Sequence, residues 1–382
     1  MKISYINSLC VRYDAISNSI RDEISWLVAA GHDVRFFAYA CDYTEIIFTK
    51  VDDIKDVVFD QHFLSSDLVV FHFGIFYPLF NLLPLISSRA KRLVIFHNIT
   101  PREFVSPTNY ETIEKSFSQL GNMMWADHIV CDSETNLGVI RDVGIERSAS
   151  VLSLAIQLQS TVPTSKPSFA DGIIRLVFVG RFVRAKGPHD FLSAVKSVLA
   201  ADQACKLRID LIGNVQFSEA SFIESIQQAA LLLLQECGDR IQILFHGNAA
   251  ETVKQQLLRN ADLFVLPTYH EGFCVPIIEA IASGCKVIAY KNSNVPAISG
   301  GLALLTPTGD LEKLSIALTT GIRLVSSARW VGSGNGGYKE YSQKASKYIS
   351  GFDREKSAVR FLEMIKMVCQ NQSMPQTSEL PL

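Results

Sequence analysis

Two glutamates frame a short loop in the second half of the chain. Glu271 and Glu279 are eight positions apart, and Gly272, Phe273 and Pro276 lie between them. An apolar run at 263–266 precedes the loop, and an apolar helical pattern follows it. This order predicts a strand, a loop and a helix, which sets the loop at the carboxyl end of a strand, where open α/β sheets bind ligands.

The start of that helix favours an anionic ligand. Proline suits the first helical position, so we expect Pro276 there and Val275 at the cap. Because valine accepts no hydrogen bond from the first-turn amides, those from Ile277 onward are expected to stay unpaired. Unpaired amides bind phosphate and carboxylates bind hydroxyls, so a sugar nucleotide fits the loop. The alternative interpretation is that Glu271 is solvated in a loop and that Glu279 only interacts favourably with the helix dipole.

A second loop supplies positive charge. The apolar run at 176–179 predicts a buried strand, and Arg181 and Lys186 follow it before a helix pattern near Pro188. Arginine can hold a diphosphate through two hydrogen bonds, and lysine adds a point charge. Two exposed basic residues on an ordinary loop are the alternative interpretation.

Together these motifs resemble family-4 retaining glycosyltransferases, the glycosyl transferases group 1, which have the GT-B fold. The resemblance rests on Arg181 and Lys186 between two glycines, on Ala261-Asp262 before the next strand, and on the two glutamates, in that order. The chain departs from the family where Ala297 replaces an acidic residue, and where residues 13–18 replace a glycine pair.

The first half of the chain shows the same alternation. Residues 2–6 predict a strand, and a helical pattern runs from about Ser17 to Ala30. Ser17 or Asn18 is expected to cap that helix, and Ser17 is also a candidate ligand contact. A later strand ends at His97, where the family places a histidine that faces its ligands. The sequence His-Asn-Ile-Thr-Pro resembles a bacterial branch of the family that builds surface polysaccharides.

The resemblance implies an α/β protein with two Rossmann-like, doubly wound domains that face a cleft. Residues 1–160 are expected to form the acceptor-side domain, and residues 173–345 the domain that binds the nucleotide sugar. A helix at 346–368 is expected to cross back onto the first domain, and residues 370–382 form a polar tail.

The resemblance also assigns roles to residues. Arg181 and Lys186 would stabilise the leaving diphosphate, Glu271 would hold the transferred sugar and His97 would line the acceptor side; these four are the catalytic candidates. Glu279 would hold the ribose. The other expected substrate contacts are Gly180, Gly213, Asn248, Ser17, Gly272, Phe273, Cys274, Val275 and Ile277.

The implied reaction moves a hexose, such as mannose or glucose, from a GDP- or UDP-sugar to a glycan or lipid-linked acceptor in lipopolysaccharide or other polysaccharide biosynthesis. No Asp-x-Asp pair occurs in the sequence, so neither a metal nor another cofactor is expected. Two alternatives have the same fold: a non-catalytic subunit that binds a nucleotide sugar, and a nucleotide-sugar epimerase.

Composition limits the environment of the protein. A net charge of −2 gives no electrostatic reason to expect nucleic acid as a partner. Eight cysteines without a Cys-x-x-Cys pair predict a reducing, cytoplasmic location. The apolar stretch at 73–86 is expected to be buried; the alternative is a peripheral contact with the inner membrane surface, helped by basic residues at 89–92. The leucine run at 231–234 is expected in the core.

Overall fold

A computed structural model describes residues 1–12, 14–158, 162–166, 171–215, 218–331 and 337–370. The chain divides into two compact units, one formed by Met1–Gln157 with the segment from Phe352 onward, the other by Leu158–Gly351. Tyr13 in the altered first loop and residues 371–382 of the expected polar tail lie outside the described residues.

The first unit contains a parallel sheet of order β5-β3-β1-β6-β7-β8-β9, with a separate parallel pair of β2 and β4. Its strands are β1 Lys2–Ile6, β2 Leu9–Cys10, β3 Asp33–Ala38, β4 Ala40–Cys41, β5 Phe48–Lys50, β6 Leu68–Phe73, β7 Lys91–Phe96, β8 His128–Cys131 and β9 Ala149–Val151. Its first helices are α1 Ala15–Ala29, α2 Ile54–Val58, α3 Gln61–Leu64, α4 Tyr110–Gln119 and α5 Glu134–Asp142.

Both faces of this sheet are covered. Successive strand residues point to opposite faces, so Tyr5 belongs to one hydrophobic core and Ile6 to the other. The apolar stretch at 73–86 contributes a 3₁₀ helix, Pro78–Leu85, whose Leu79 and Phe80 are fully buried. The stretch is therefore mainly core, as expected from its sequence.

The second unit contains a parallel sheet of order β12-β11-β10-β13-β14-β15. Its strands are β10 Ile174–Val179, β11 Leu207–Ile212, β12 Ile241–Gly247, β13 Leu263–Leu266, β14 Lys286–Lys291 and β15 Ala303–Pro307. Its helices are α6 Pro188–Ala201, α7 Ala220–Cys237, α8 Glu251–Asn260, α9 Val275–Ala282, α10 Val295–Ile298, α11 Leu311–Val325, α12 Ala328–Val331 and α13 Tyr338–Ile349.

Helix α7 corrects one expectation. Leu231 and Leu232 are 52% and 50% exposed, whereas Leu233 is 3% exposed. The prediction of a core leucine run is therefore wrong for these two residues, because consecutive residues of a helix spread over more than one face. Among the described helices, none combines the length and the hydropathy needed to cross a membrane.

The final helix, α14 Arg354–Cys369, belongs to the first unit. Its buried side chains, Phe361 among them, join the core that also contains the inner face of α1. The Phe361 and Trp26 rings lie 5.8 Å apart, and the Arg354 guanidinium lies 3.0 Å from the Asp22 carboxylate of α1. The carboxyl-terminal helix thus packs on the first domain, as the fold class implied.

Truncation of Phe361, which α14 buries in the core of the first unit, should destabilise that unit. Phe361→Ala is expected to lower the free energy of unfolding by about 3–5 kcal/mol, because Phe361 is 2% exposed and leaves a cavity. Val359→Ala on the same helix, at 56% exposure, should change it by less than about 0.5 kcal/mol. Urea denaturation followed by tryptophan fluorescence measures both, and equal losses would contradict the packing of α14.

Candidate active site

The second unit has a reversal of chain order between β10 and β13. The strands β11 and β12 extend to one side of this point, and β14 and β15 extend to the other. Such a switch point opens a crevice at the carboxyl ends of its two strands, where open α/β sheets bind ligands. Residues 180–187 follow β10 and residues 267–274 follow β13. The two loops that the sequence singled out are therefore neighbours.

Backbone contacts join the two loops directly. The Tyr269 amide and the Thr268 hydroxyl both donate to the Ala185 carbonyl, over 2.7 Å and 3.0 Å. Gly187 has a left-handed backbone, with φ of 66°, and a Cβ there would overlap the Pro267 carbonyl oxygen. Only glycine satisfies both conditions, so this residue sets how closely the loops approach.

Lys186 and Glu271 meet across these loops. The Lys186 Nζ donates to the Glu271 Oε1 over 2.6 Å, and the two side chains are only 17% and 6% exposed. Two of the four catalytic candidates, 85 residues apart in sequence, thus form a mostly buried ion pair. The arrangement sets a cation for an anionic ligand group beside an acceptor for hydroxyls.

The start of α9 differs from the sequence expectation. The helix begins at Val275, and the cap residue is Cys274, whose backbone is left-handed with φ of 79°. The placement of Pro276 at the first helical position is wrong by one residue, because proline also fits later in a first turn, where no intrahelical donor is needed. The Ile277 amide donates to the Cys274 carbonyl over 3.2 Å, so it is not unpaired as expected.

The Cys274 thiol is protonated. Burial raises its pKa well above the ordinary value, and the charge of Glu271 raises the pKa further. Cys274 therefore faces the carboxylate as a neutral group, and Lys186 is the cation that compensates Glu271.

Two asparagines that sequence reasoning missed hold the same loop. After β14, the Asn292 Nδ2 donates to the Thr268 carbonyl over 2.6 Å, and the Asn294 Nδ2 donates to the Phe273 carbonyl over 2.9 Å. Gly272 and the 5% exposed Phe273 lie in the segment between these two hydrogen bonds. The sequence signal that could have revealed the asparagines was a pair of polar residues directly after an apolar strand, at the same edge of the sheet.

Glu279 also has a lysine partner that the sequence did not reveal. The Lys254 Nζ of α8 donates to the Glu279 Oε1 over 2.8 Å and lies 3.0 Å from a Glu251 oxygen. Burial lowers the pKa of Lys254, but the charges of Glu279 and Glu251 outweigh it and raise the pKa overall. The Glu279 carboxylate is therefore held in a fixed direction by a lysine, which suits a residue that binds hydroxyls.

The remaining candidates of this unit lie along the neighbouring strand ends. Arg181 is exposed and, within the described parts of the chain, forms no ion pair. A Cβ at Gly213 would overlap the Gly180 carbonyl oxygen, and the Asn248 Oδ1 accepts from the Val215 amide over 2.8 Å. Backbone packing accounts for Gly213 and Asn248, and their ligand contacts stay predictions. Nowhere among the described residues do three or more His, Cys, Asp or Glu side chains cluster as metal ligands.

Ser17 does not cap α1. The cap is Asp14, whose Oδ2 accepts from the Ser17 amide over 2.8 Å and from the Ser17 hydroxyl over 2.7 Å. The Ser17 Oγ accepts in turn from the Val11 amide over 2.9 Å. The cap prediction for Ser17 or Asn18 is wrong because the helix begins earlier, at Ala15. Asp14, which is also a favoured capping residue, therefore lies at the cap position.

His97 follows β7 and is almost entirely buried, with 4% of its side chain exposed. Its Nδ1 lies 2.7 Å from the Asp132 Oδ2, and its Nε2 lies 2.7 Å from the His72 Nδ1. The His72 Nε2 lies 2.9 Å from the Glu23 Oε2. Both ring nitrogens of His97 are thus engaged within the first unit, and its role beside an acceptor stays a prediction.

Comparison with solved structures defines the class of fold. The chain is similar to sucrose-phosphate synthase from Thermosynechococcus elongatus, with a TM-score of 0.72 at 16% identity over 97% of this chain and 99% of that one. It is equally similar to Anabaena HepE, solved in complex with UDP and glucose, with a TM-score of 0.70 at 16% identity over 96% and 99% of the two chains. These similarities confirm the GT-B fold.

Comparison with families agrees with this fold. Residues 174–323, which lie in the second unit, match the family described as Glycosyl transferases group 1. A D-inositol 3-phosphate glycosyltransferase of Rhodococcus opacus is 26% identical over 228 residues, which cover 59% of this chain and 45% of the relative. The chain spans less than half the length of the curated relatives it matches.

The approach of the two loops can be tested at its glycine. Gly187→Ala adds a backbone clash to the strain of a left-handed residue, whereas Gly301→Ala, with φ of 71° and open space around it, adds only the strain. The control should lose about 1–2 kcal/mol of stability, and Gly187→Ala about 1–3 kcal/mol more. Chemical denaturation measures both, and equal losses would show that the loops have room to separate.

Proposed function

We propose that this protein is a retaining glycosyltransferase that moves a hexose from a nucleoside diphosphate sugar to an acceptor hydroxyl. The single observation that carries the proposal is the Lys186–Glu271 ion pair at the switch point of a group 1 glycosyl transferase domain. A diphosphate needs cations and a hexose needs hydrogen-bond acceptors, and this pair offers one of each within 2.6 Å.

The leaving group explains the cations. When the glycosidic bond to the donor breaks, negative charge grows on the nucleoside diphosphate, and fixed positive charges stabilise that state. Lys186 is already held in place by Glu271, and Arg181 is exposed beside it on the same loop. Binding of the diphosphate would draw Lys186 towards phosphate, which leaves Glu271 free to accept from hexose hydroxyls.

The ribose is assigned to Glu279. Lys254 occupies the Oε1 of this carboxylate, and among the described residues its Oε2 accepts no hydrogen bond. A ribose hydroxyl can donate to Oε2, while the lysine holds the carboxylate in a fixed direction. Lys254 thereby joins the candidate site as a residue that orients Glu279.

The donor base and the acceptor are finer parts of the proposal. GDP- and UDP-sugars of mannose or glucose are the donors considered, and a glycan or lipid-linked saccharide of a polysaccharide pathway is the first acceptor class. The names of the relatives, which include an inositol phosphate and a sucrose phosphate, support phosphorylated polyols or sugars as a second class. A lipid-linked acceptor would require a peripheral contact of the protein with the membrane surface.

A ligand panel tests the proposal without knowledge of the acceptor. Thermal unfolding is measured with GDP, UDP, GDP-mannose, UDP-glucose and the free hexoses. The correct nucleotide, present at a hundred times its Kd, should stabilise the fold by about 2.7 kcal/mol, and the other base should not. A panel in which no nucleotide or sugar nucleotide raises the melting temperature would reject the proposal.

The ion pair can be separated into its structural and its chemical roles. Lys186→Met leaves the buried Glu271 carboxylate without its cation and should cost about 3–5 kcal/mol of stability. The double variant with Glu271→Gln removes that charge and should recover most of the loss, yet both variants should lower transfer at least a hundredfold.

The control for this experiment is an exposed pair in the same unit. Lys196 and Glu236 lie 2.7 Å apart at 58% and 49% exposure, so Lys196→Met should leave transfer unchanged. A stable double variant with near wild-type transfer would make the Lys186–Glu271 pair purely structural.

Two other functions share this geometry and are outcomes of the same assays. A non-catalytic subunit would bind the nucleotide sugar and release no nucleoside diphosphate with any acceptor. An epimerase of the same fold would change the sugar of the donor without an acceptor. The altered loop at 13–18 and Ala297 favour the first of these, and the presence of Arg181, Lys186 and both glutamates favours transfer.

A further inference from the structure

A row of four buried side chains in the first unit needs one more proton than two ionised carboxylates and two neutral imidazoles supply. The row runs from Glu23 through His72 and His97 to Asp132, with contacts of 2.9 Å, 2.7 Å and 2.7 Å. Each of the three contacts requires one hydrogen. Two ionised carboxylates bring none and two neutral imidazoles bring one each, so one contact would join two lone pairs.

Hydrogen bonds from its neighbours favour the charged form of the first carboxylate of the row. The Glu23 Oε2 accepts from the Tyr5 hydroxyl over 3.1 Å, and the Oε1 accepts from the Ser19 hydroxyl over 2.6 Å. With the His72 contact, Glu23 accepts three hydrogen bonds, which favours its charged form. Burial and the charge of Glu23 raise the pKa of Tyr5, so this phenol remains a donor. The third proton therefore lies further along the row.

The second carboxylate has an oxygen that the row does not use. The Asp132 Oδ1 is buried and, within the described residues, has no hydrogen-bond partner, although Asp132 is only 3% exposed. Asp132 borders a cavity of about 20 Å³ that is also lined by Ser19, Glu23, Ser153 and Ser357. A cavity of this size admits one water molecule, and a hydrogen bond from that water to Asp132 would favour the charged form of the carboxylate.

We propose that His72 and His97 together hold one proton beyond those of two neutral imidazoles, and that Glu23 and Asp132 are positioning residues that retain it. His97 then acts as part of a fixed cation and offers no free base. The catalytic consequence rests on the proposed function, whereas retention of the proton does not.

The surrounding charges agree with a cationic pair. Burial lowers the pKa of His97, but the charges of Asp132, Glu23 and Asp14 outweigh it and raise the pKa overall. The nearby Asp22 is itself compensated by Arg21 and Arg354. These groups face the row from α1, from the loop before it, from the end of β8 and from α14.

His128 is a matched control within the same unit. It is buried like His72, but its ring nitrogens contact only the hydroxyls of Ser148 and Ser150, over 2.9 Å and 2.8 Å. Burial lowers the pKa of His128 to about 4. His128 is thus a buried histidine without a carboxylate partner among the described residues, whereas the His72–His97 pair has two, Glu23 and Asp132.

Nuclear magnetic resonance of the histidine-labelled full chain tests the proton directly. The His72 and His97 resonances should share one protonation, and its midpoint should lie above the ordinary histidine value and move to lower pH in Asp132→Asn. Glu23→Gln provides the same test from the other end. Neutral forms of both rings at pH 6.5 in the wild-type chain would overturn the proposal.

Stability gives a second readout, and its sign follows from the raised pKa. The stabilisation from the protonated pair is fully present below the unfolded value of about 6.5 and is lost as pH rises through the folded value. The pKa values of His32, His62, His128 and His189 are lowered, so these residues act only below that window. The melting temperature of the first unit should fall above pH 6.5, and less so in Asp132→Asn.

The pH dependence of activity tests whether Asp132 acts as a positioning residue, which is a separate question from where the proton lies. The kcat/KM of wild-type protein should fall as pH passes the midpoint of the pair, and the fall should move to lower pH in Asp132→Asn, whereas His128→Gln keeps the wild-type profile. Unchanged profiles in all three proteins would overturn the positioning role. A wild-type chain that binds no donor but shows the shared proton would reject the proposed function and leave the proton-holding pair intact.

Discussion

The buried contact between Lys186 and Glu271 constrains much of the second unit. A carboxylate that is 6% exposed is stable only if a cation compensates it at short range, since an uncompensated charge costs several kcal/mol. The loops after β10 and β13 must therefore stay together. Gly187 permits their approach, the Ala185 carbonyl accepts two hydrogen bonds across the gap, and the asparagines after β14 hold the far side. The Lys186–Glu271 contact therefore both holds the two loops together and forms part of the candidate site for a charged ligand.

The same arrangement recurs at four other largely buried carboxylates of the described residues. Lys254 compensates Glu279, the histidine row compensates Glu23 and Asp132, and Arg354 compensates Asp22. Burial of a lone charge would be far more costly than burial of a pair with satisfied hydrogen bonds. A ligand can enter such a site by offering its own charge or hydroxyls in exchange for part of the existing pair, which keeps the cost of its binding low.

The sequence predicted the features that repeat locally and missed those that depend on distant neighbours. Apolar runs at 176–179 and 263–266 predicted β10 and β13, and the order of motifs predicted that Lys186 and Glu271 serve one site. The left-handed backbone at Cys274 was missed, because a residue other than glycine leaves no trace of such a conformation in the sequence. Lys254 was missed because its partner is 25 residues away, and His72 and Asp132 were missed as partners of His97 because the pairing of β7 with β6 and with β8 brings them there.

The candidate donor site and the histidine row differ in which cation compensates the carboxylates. Lysines do so at Glu271 and Glu279, and because a lysine loses its proton only near pH 10, pairs such as Lys254–Glu279 keep their charge throughout the neutral range. Histidines do so in the row of the first unit, and a histidine changes charge close to neutrality. A change of pH between 6 and 8 therefore acts on the charge of the row, whereas Lys254 keeps its proton in this range. Because the proposed donor contacts lie in the second unit, the pH response of the row would reach turnover through His97.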